Sequence, residues 1–191
     1  DRPQKGRFRQ FTQCDIDILG DPTNLAEIEL ILATTTLLGR LDFKNFKVRI
    51  NDRAILRSMA AYSGFPEESY DKVFIILDKM DKIGLDGVKA ELLESGFPAA
   101  DVEKYLGLFQ AMEGQEDAIG ALNAAMGGQL DENAADNLRT IMDSVKATAV
   151  SEFEIVFDPT LVRGMSYYTG TIFEIEMAEF GSSVAGGGRY D

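Results

Sequence analysis

Leu161-Val162-Arg163-Gly164-Met165-Ser166-Tyr167-Tyr168-Thr169-Gly170 runs directly into Thr171-Ile172-Phe173-Glu174-Ile175-Glu176-Met177. The second stretch alternates, with Ile172, Glu174 and Glu176 on one side and Thr171, Phe173 and Ile175 on the other, the period of a β-strand. The first joins an arginine to two tyrosines, with a glycine at each bend. Phe180-Gly181-Ser182-Ser183 then turns the chain into Gly186-Gly187-Gly188-Arg189-Tyr190-Asp191. Upstream, Phe153–Phe157 predicts another strand, closed by an Asp158-Pro159 turn. Phe46, Val48 and Ile50 alternate with Lys47 and Arg49 and predict a further one. Residues 10–19 also read as a strand. Thr12, Cys14, Ile16 and Ile18 share one face, the last three suited to a core, and Phe11, Gln13, Asp15 and Asp17 share the other.

Between the strands lie helices. Asp21-Pro22 has the form of an N-cap with proline in the first turn. Leu25, Ile28, Leu32 and Thr35 follow at helical spacing, and Gly39 is a plausible terminator. Asn51-Asp52 starts a short helix through Ala60. From about Gly64 the texture changes, and residues 66–147 show only helical stripes: Tyr70/Val73/Phe74/Leu77, Val102/Tyr105/Leu106/Phe109 and Leu138/Ile141/Met142/Val145. Gly-Phe-Pro occurs at 64–66 and 96–98, each time before a helical stretch. Antiparallel strands with a few helices, interrupted by a helical insert, predict an α+β fold. The expected divisions are 1–63, 64–150 and 151–191.

The 191 residues are 45% hydrophobic, enough for one or two cores. No stretch is apolar for the eighteen or so residues a membrane helix needs, and no signal peptide opens the chain. A single cysteine, Cys14, excludes an internal disulfide and suits a reducing, cytoplasmic setting. There is no histidine, which removes His-based triads and most zinc sites. Chemistry must come from carboxylates, arginines, lysines, tyrosines and backbone amides, with magnesium possible if phosphates carry it in. The net charge of −13 argues against nonspecific nucleic-acid binding. It is unevenly placed, +2 over residues 1–57 and −10 over residues 58–150.

Four runs could carry chemistry. Arg2, Lys5, Arg7 and Arg9 around Gly6 suit a polyphosphate, because arginine grips phosphate oxygens in pairs; a solvated basic hairpin would look the same. Gln13 and Asp17, roughly 13 Å apart along one strand face, could bond opposite ends of a small polar molecule or simply face water. Arg163 could stabilise charge on a transferring phosphoryl group without a metal, while Tyr167 and Tyr168 wall a flat ring; two core tyrosines beside a surface arginine fit equally. The Gly186–Gly188 triplet permits close backbone approach, though taken alone it reads as a loop.

Together these runs resemble the histidyl-tRNA synthetases, class II aminoacyl-tRNA synthetases. Arg2 to Asp17 is similar to that family's motif 2 loop and second strand, Leu161 to Tyr168 to its first histidine-specific signature, and Ala185 to Asp191 to its second. Residues from about Pro66 to Val150 stand where the family carries its helical insertion domain. The resemblance implies a class II synthetase-like antiparallel sheet with flanking helices, with 1–63 and 151–191 as catalytic core. It implies that Gln13 and Asp17 contact L-histidine, that Tyr167 and Tyr168 wall the pocket, and that Tyr190 and the Gly186 backbone close it. Arg7 would reach the ATP phosphates, and Arg163 would stabilise the α-phosphate during attack by the histidine carboxylate. ATP with its Mg2+, L-histidine and histidine tRNA are the implied ligands, and a cytoplasmic homodimer the implied enzyme. Without motif 1, motif 3 or an anticodon-binding region, these residues would be an internal piece of a catalytic domain that does not aminoacylate alone. The noncatalytic alternatives are the synthetase-like regulatory subunit of ATP phosphoribosyltransferase and a synthetase-like domain that senses uncharged tRNA. Arg7, Arg163 and the Gln13/Asp17 pair favour the enzyme, since a sensor needs no phosphate-handling arginine.

Overall fold

Val48 and Ile50 are fully buried and Phe46 nearly so, whereas Lys47 between them is exposed. This alternation builds β1 (Phe46–Asp52), one of two central strands in a four-stranded sheet. The structure is a computed structural model and describes residues 8–164 and 167–191. Around β1 the sheet contains β2 (Glu154–Phe157), β3 (Thr171–Met177) and β4 (Ser182–Gly188), in the order β2-β1-β3-β4. Paired residues share a face. Val48, Ile50 and Phe46 pair with Ile175, Phe173 and Met177 and form the apolar face. Lys47 and Arg49 pair with Glu176 and Glu174, and Glu174 pairs in turn with Gly186, so the opposite face is polar. β1/β3 and β3/β4 are antiparallel, but β1 and β2 run parallel, which the expectation of antiparallel strands did not contain. The helical stretch between β1 and β2 is the long crossover that a parallel pair requires.

α1 (Leu25–Arg40) and α7 (Glu132–Thr148) pack on one another, and α7 also contacts β1 and β2. Ile28 and Ile31 of α1 and Leu138, Ile141 and Val145 of α7 join the apolar core. α1 begins later than predicted. Asp21 accepts bonds from the amide and hydroxyl of Thr23 (2.8 and 2.7 Å), a local turn that leaves Asn24 at the cap position. Gly39 does not end the helix, which runs on to Arg40.

α2 (Arg53–Ser63) is capped by the Asp52 carboxylate, which accepts from the Ala54 amide. α3 (Tyr70–Leu77), α4 (Met80–Glu94, kinked at Gly84), α5 (Ala99–Met112) and α6 (Ala118–Ala125) follow. The two Gly-Phe-Pro segments use one device. Gly64 and Gly96 take positive φ (101° and 88°) after α2 and α4. The Phe65 and Phe97 amides then bond back to the Ala60 and Leu92 carbonyls, as in a Schellman stop. The two phenyl rings meet edge-to-face at 5.0 Å, and Phe65 meets Tyr105 at 5.2 Å. Gly64→Ala is expected to destabilise the protein by about 1–2 kcal/mol, since a Cβ there is strained and would meet Asp101 at 3.0 Å. Urea denaturation checks this, with Gly107→Ala, whose Cβ meets nothing within 4 Å, as the comparison.

Residues 10–19 depart most from expectation. They form no strand, and all but Ile18 are exposed, including Cys14 and Ile16. Alternation gives a strand two faces, but a ladder needs a neighbouring backbone, and no described strand pairs with this segment.

Candidate active site

The polar face of the sheet gathers the sequence signatures. The Leu161–Gly170 stretch leaves β2 through a turn in which the Asp158 amide bonds to the Ile50 carbonyl. Gly164 has φ +62°, and both the Tyr167 and Tyr168 amides bond to its carbonyl at 3.0 Å. This tight bend, which suits glycine, separates the arginine from the tyrosines. Met165 and Ser166 lie outside the described residues.

The glycine triplet is strand, not loop. A Cβ added at Gly186 would stand 2.8 Å from Cζ and Nε of Arg163. At Gly187 it would be 2.9 Å from the Phe173 ring, and at Gly188 2.8 Å from the ring of Tyr168. The triplet is the floor on which these side chains lie, and any larger residue would displace them.

Arg163 donates from Nη1 to Glu174 Oε2 at 2.7 Å. Tyr167 stacks on Tyr190 with ring centroids 5.3 Å apart and meets Tyr168 edge-on at 5.2 Å. Tyr190 donates its hydroxyl to Asp17 at 3.0 Å. That bond to a carboxylate holds the Tyr190 phenol above its ordinary range. Tyr168, Tyr167, Tyr190 and Asp17 therefore form one connected set, and Arg163 joins it through the glycine strand, on Gly186 two residues from the Gly188 seat of Tyr168. Gln13 does not join Asp17; its amide bonds to Asp15 at 2.8 Å. Arg7, with Arg2 and Lys5, lies outside the described residues, and Arg9 is exposed.

Sequence reasoning did not single out three residues that hold this set. Glu174 was placed on the correct face but given no role. Arg189 sits inside the quoted glycine run, and its guanidinium clasps Glu27 of α1 by two bonds of 2.6 and 2.8 Å. It also donates to the Asp21 and Thr23 carbonyls at 3.2 and 2.6 Å. The bonds to Glu27 keep Arg189 above its ordinary range despite partial burial. Its backbone bonds to Thr171 and Thr169 extend the β3–β4 pairing up to the tyrosine bend. Next to Glu174, Arg49 is ringed by Asp158, Glu176, Asp81 and Thr160. Burial opposes its charge, but the carboxylates outweigh burial and raise its pKa. Lysines of the acidic helices are also engaged. Lys79 binds Glu91 at 2.6 Å, Lys89 pairs with Glu103, and Lys72 lies 5.7 Å from the centre of the Phe97 ring.

The histidyl-tRNA synthetase family model matches residues 1–191, the whole chain. The chain belongs to the histidyl-tRNA synthetase family. It is 45% identical to the histidine--tRNA ligase of Leifsonia xyli subsp. xyli over all of its own length and 45% of that protein's. It is 42% identical to the probable histidine--tRNA ligase of Tropheryma whipplei, over all of its own length and 46% of the relative's. It thus spans about half the length of the curated relatives it matches. Among solved structures, the histidyl-tRNA synthetase of Nostoc sp. PCC 7120 aligns over 90% of this chain and 41% of its own. That pair has a TM-score of 0.76 at 24% identity, a likeness of fold. A structure described as an ATP phosphoribosyltransferase regulatory subunit/histidyl-tRNA synthetase, from Bacillus halodurans, aligns over 90% of this chain and 44% of its own. It has a TM-score of 0.74 at 25% identity. The mixed sheet with flanking helices is the class II synthetase-like arrangement that the family implies.

Proposed function

We propose that this chain carries the histidine-activating site of a histidine--tRNA ligase. In the first step the histidine carboxylate attacks the α-phosphate of ATP and displaces pyrophosphate. In the second a hydroxyl of the terminal ribose of histidine tRNA attacks the acyl carbon of the adenylate, so that the ester forms and AMP leaves. The observation that supports this reading best is the seating of Arg163 on Gly186 and of the Tyr168 ring on Gly188, two residues along the same strand, with Tyr168 in turn meeting the Tyr167/Tyr190 stack. A fixed guanidinium next to an aromatic wall combines the two things that adenylate formation needs. Charge growing on the α-phosphate oxygens meets a preorganised donor, and the flat imidazole finds a surface to lie against.

The polar residues divide the work. Asp17, already accepting from Tyr190, offers its remaining lone pairs to an imidazole N–H or an ammonium. Gln13 and Arg7 complete the amino-acid and ATP-phosphate contacts in this reading. In this reading magnesium arrives on the nucleotide's phosphates. Residues 64–150 serve as the insertion domain, and the whole enzyme is a cytoplasmic homodimer in this proposal.

Histidine-dependent ATP–pyrophosphate exchange by the complete natural chain tests the assignment. Tyr190→Phe keeps the stack on Tyr167 and removes only the bond to Asp17. It is expected to raise the Michaelis constant for histidine roughly three- to tenfold, the effect of about one solvent-exposed hydrogen bond, and to leave that for ATP in place. An unchanged histidine constant would remove Tyr190 and Asp17 from the pocket.

A further inference from the structure

We infer that Glu174 is a positioning residue, whose carboxylate holds the Arg163 guanidinium in the orientation the α-phosphate meets. The inference rests on the reading of Arg163 given above and adds a residue to it.

Glu174 lies on β3, a central strand, between Arg49 of β1 and Gly186 of β4 in the pairing register. A carboxylate flanked by two arginines could serve either. Arg49 is already engaged by Asp158, Glu176, Asp81 and Thr160, which leaves Glu174 for Arg163. The Glu174 side chain is 18% exposed and that of Arg163 37%, so the pair sits at the edge of burial, where a directed ion pair holds its geometry and solvent can still enter. A cavity of about 270 Å³ lies beside it, lined by Arg49, Asp81, Thr160, Arg163 and Glu174 among others.

Arginine carries a long stem with many rotamers, and ordering it takes more than one contact. Gly186 supplies a floor under the guanidinium, and Glu174 fixes its rotation on that floor. A guanidinium has five N–H donors, so one carboxylate at Nη1 sets its plane while leaving capacity for an incoming oxyanion. The carboxylate also opposes the approach of phosphates by its charge. Its place at the centre of the face is therefore better explained by positioning than by binding.

The test is pyrophosphate exchange by the complete natural chain carrying Glu174→Ala, Glu174→Gln, Arg163→Ala, or each Glu174 change combined with Arg163→Ala. Glu174→Ala is expected to lower kcat on the order of 10- to 100-fold, the effect of a catalytic group misplaced by about an ångström, with both Michaelis constants within about threefold. Glu174→Gln keeps an acceptor at the same reach and is expected to recover most of the rate. The double variants are expected to be no slower than Arg163→Ala alone, because a residue acting through Arg163 has nothing left to position. Losses that multiply in the doubles, or a full rate in Glu174→Ala, would overturn the inference while leaving Arg163 in place. A full rate in Arg163→Ala would overturn both. Glu174→Met, which keeps the length of the side chain and removes the acceptor, takes the place of the alanine variant in the cycle if that variant folds poorly, with the same expected loss and the same lack of effect on top of Arg163→Ala.

Discussion

Arg163→Ala is expected to slow histidine-dependent ATP–pyrophosphate exchange by roughly 10²–10³, the usual effect of removing one preorganised donor from a developing oxyanion. The magnitude follows from how the residue is held. Its guanidinium lies within contact of the Gly186 backbone and is tied to Glu174 at 2.7 Å. Little reorganisation remains to be done when charge develops. The loss is expected in kcat more than in either Michaelis constant, because charge on the α-phosphate grows toward the transition state. Arg163→Lys is expected to recover only part of the rate, since an ammonium is a point donor without the planar fork. The fold is expected to survive, because the side chain is more than a third exposed and makes one ion pair. A melting curve close to that of the parent would confirm that the lost rate is chemical.

Arg189→Ala is expected to have the largest effect on stability, about 3–5 kcal/mol, the cost of stranding a buried charge. Its partner decides this. The Glu27 side chain is 4% exposed and sits in the first turn of α1, where it cannot reach water without disturbing the helix. Arg49 offers the contrast. It contacts three carboxylates, yet those of Asp81 and Glu176 are 67% and 37% exposed, so on Arg49→Ala they would rehydrate and the cost should be smaller. Replacing both members of the buried pair, Arg189→Met with Glu27→Leu, is expected to recover much of the loss, because no charge is left unpaired. Urea denaturation of the three variants measures each step. A loss below about 1 kcal/mol for Arg189→Ala would class the pair with weak surface bridges and remove it as the clasp between α1 and the glycine strand.

Much of this was legible in the chain because it is local. The two-residue period of Phe46–Ile50 and Thr171–Ile175 marked β1 and β3 and assigned their faces correctly. The stripes at Tyr70–Leu77, Val102–Phe109 and Leu138–Val145 each became a helix face in the core. What was not legible depends on partners far away in sequence. The alternation of residues 10–19 matches that of β1, but alternation carries no information about a pairing neighbour, and none is described beside it. The glycine triplet looked like a loop because the crowding that requires it comes from Arg163, Tyr168 and Phe173. Glu27 looked like an ordinary acidic residue in a helix's first turn, and Arg189, which makes it a buried ion pair, is 162 positions away. The parallel β2 likewise depends on which edge of β1 remains open, a property of the assembled sheet.

The most direct test of the central claim is ATP–pyrophosphate exchange by the complete natural chain, measured with each amino acid in turn. Exchange with histidine alone is the predicted result. A folded protein that exchanges with no amino acid would contradict the account and place the chain with noncatalytic regulatory relatives.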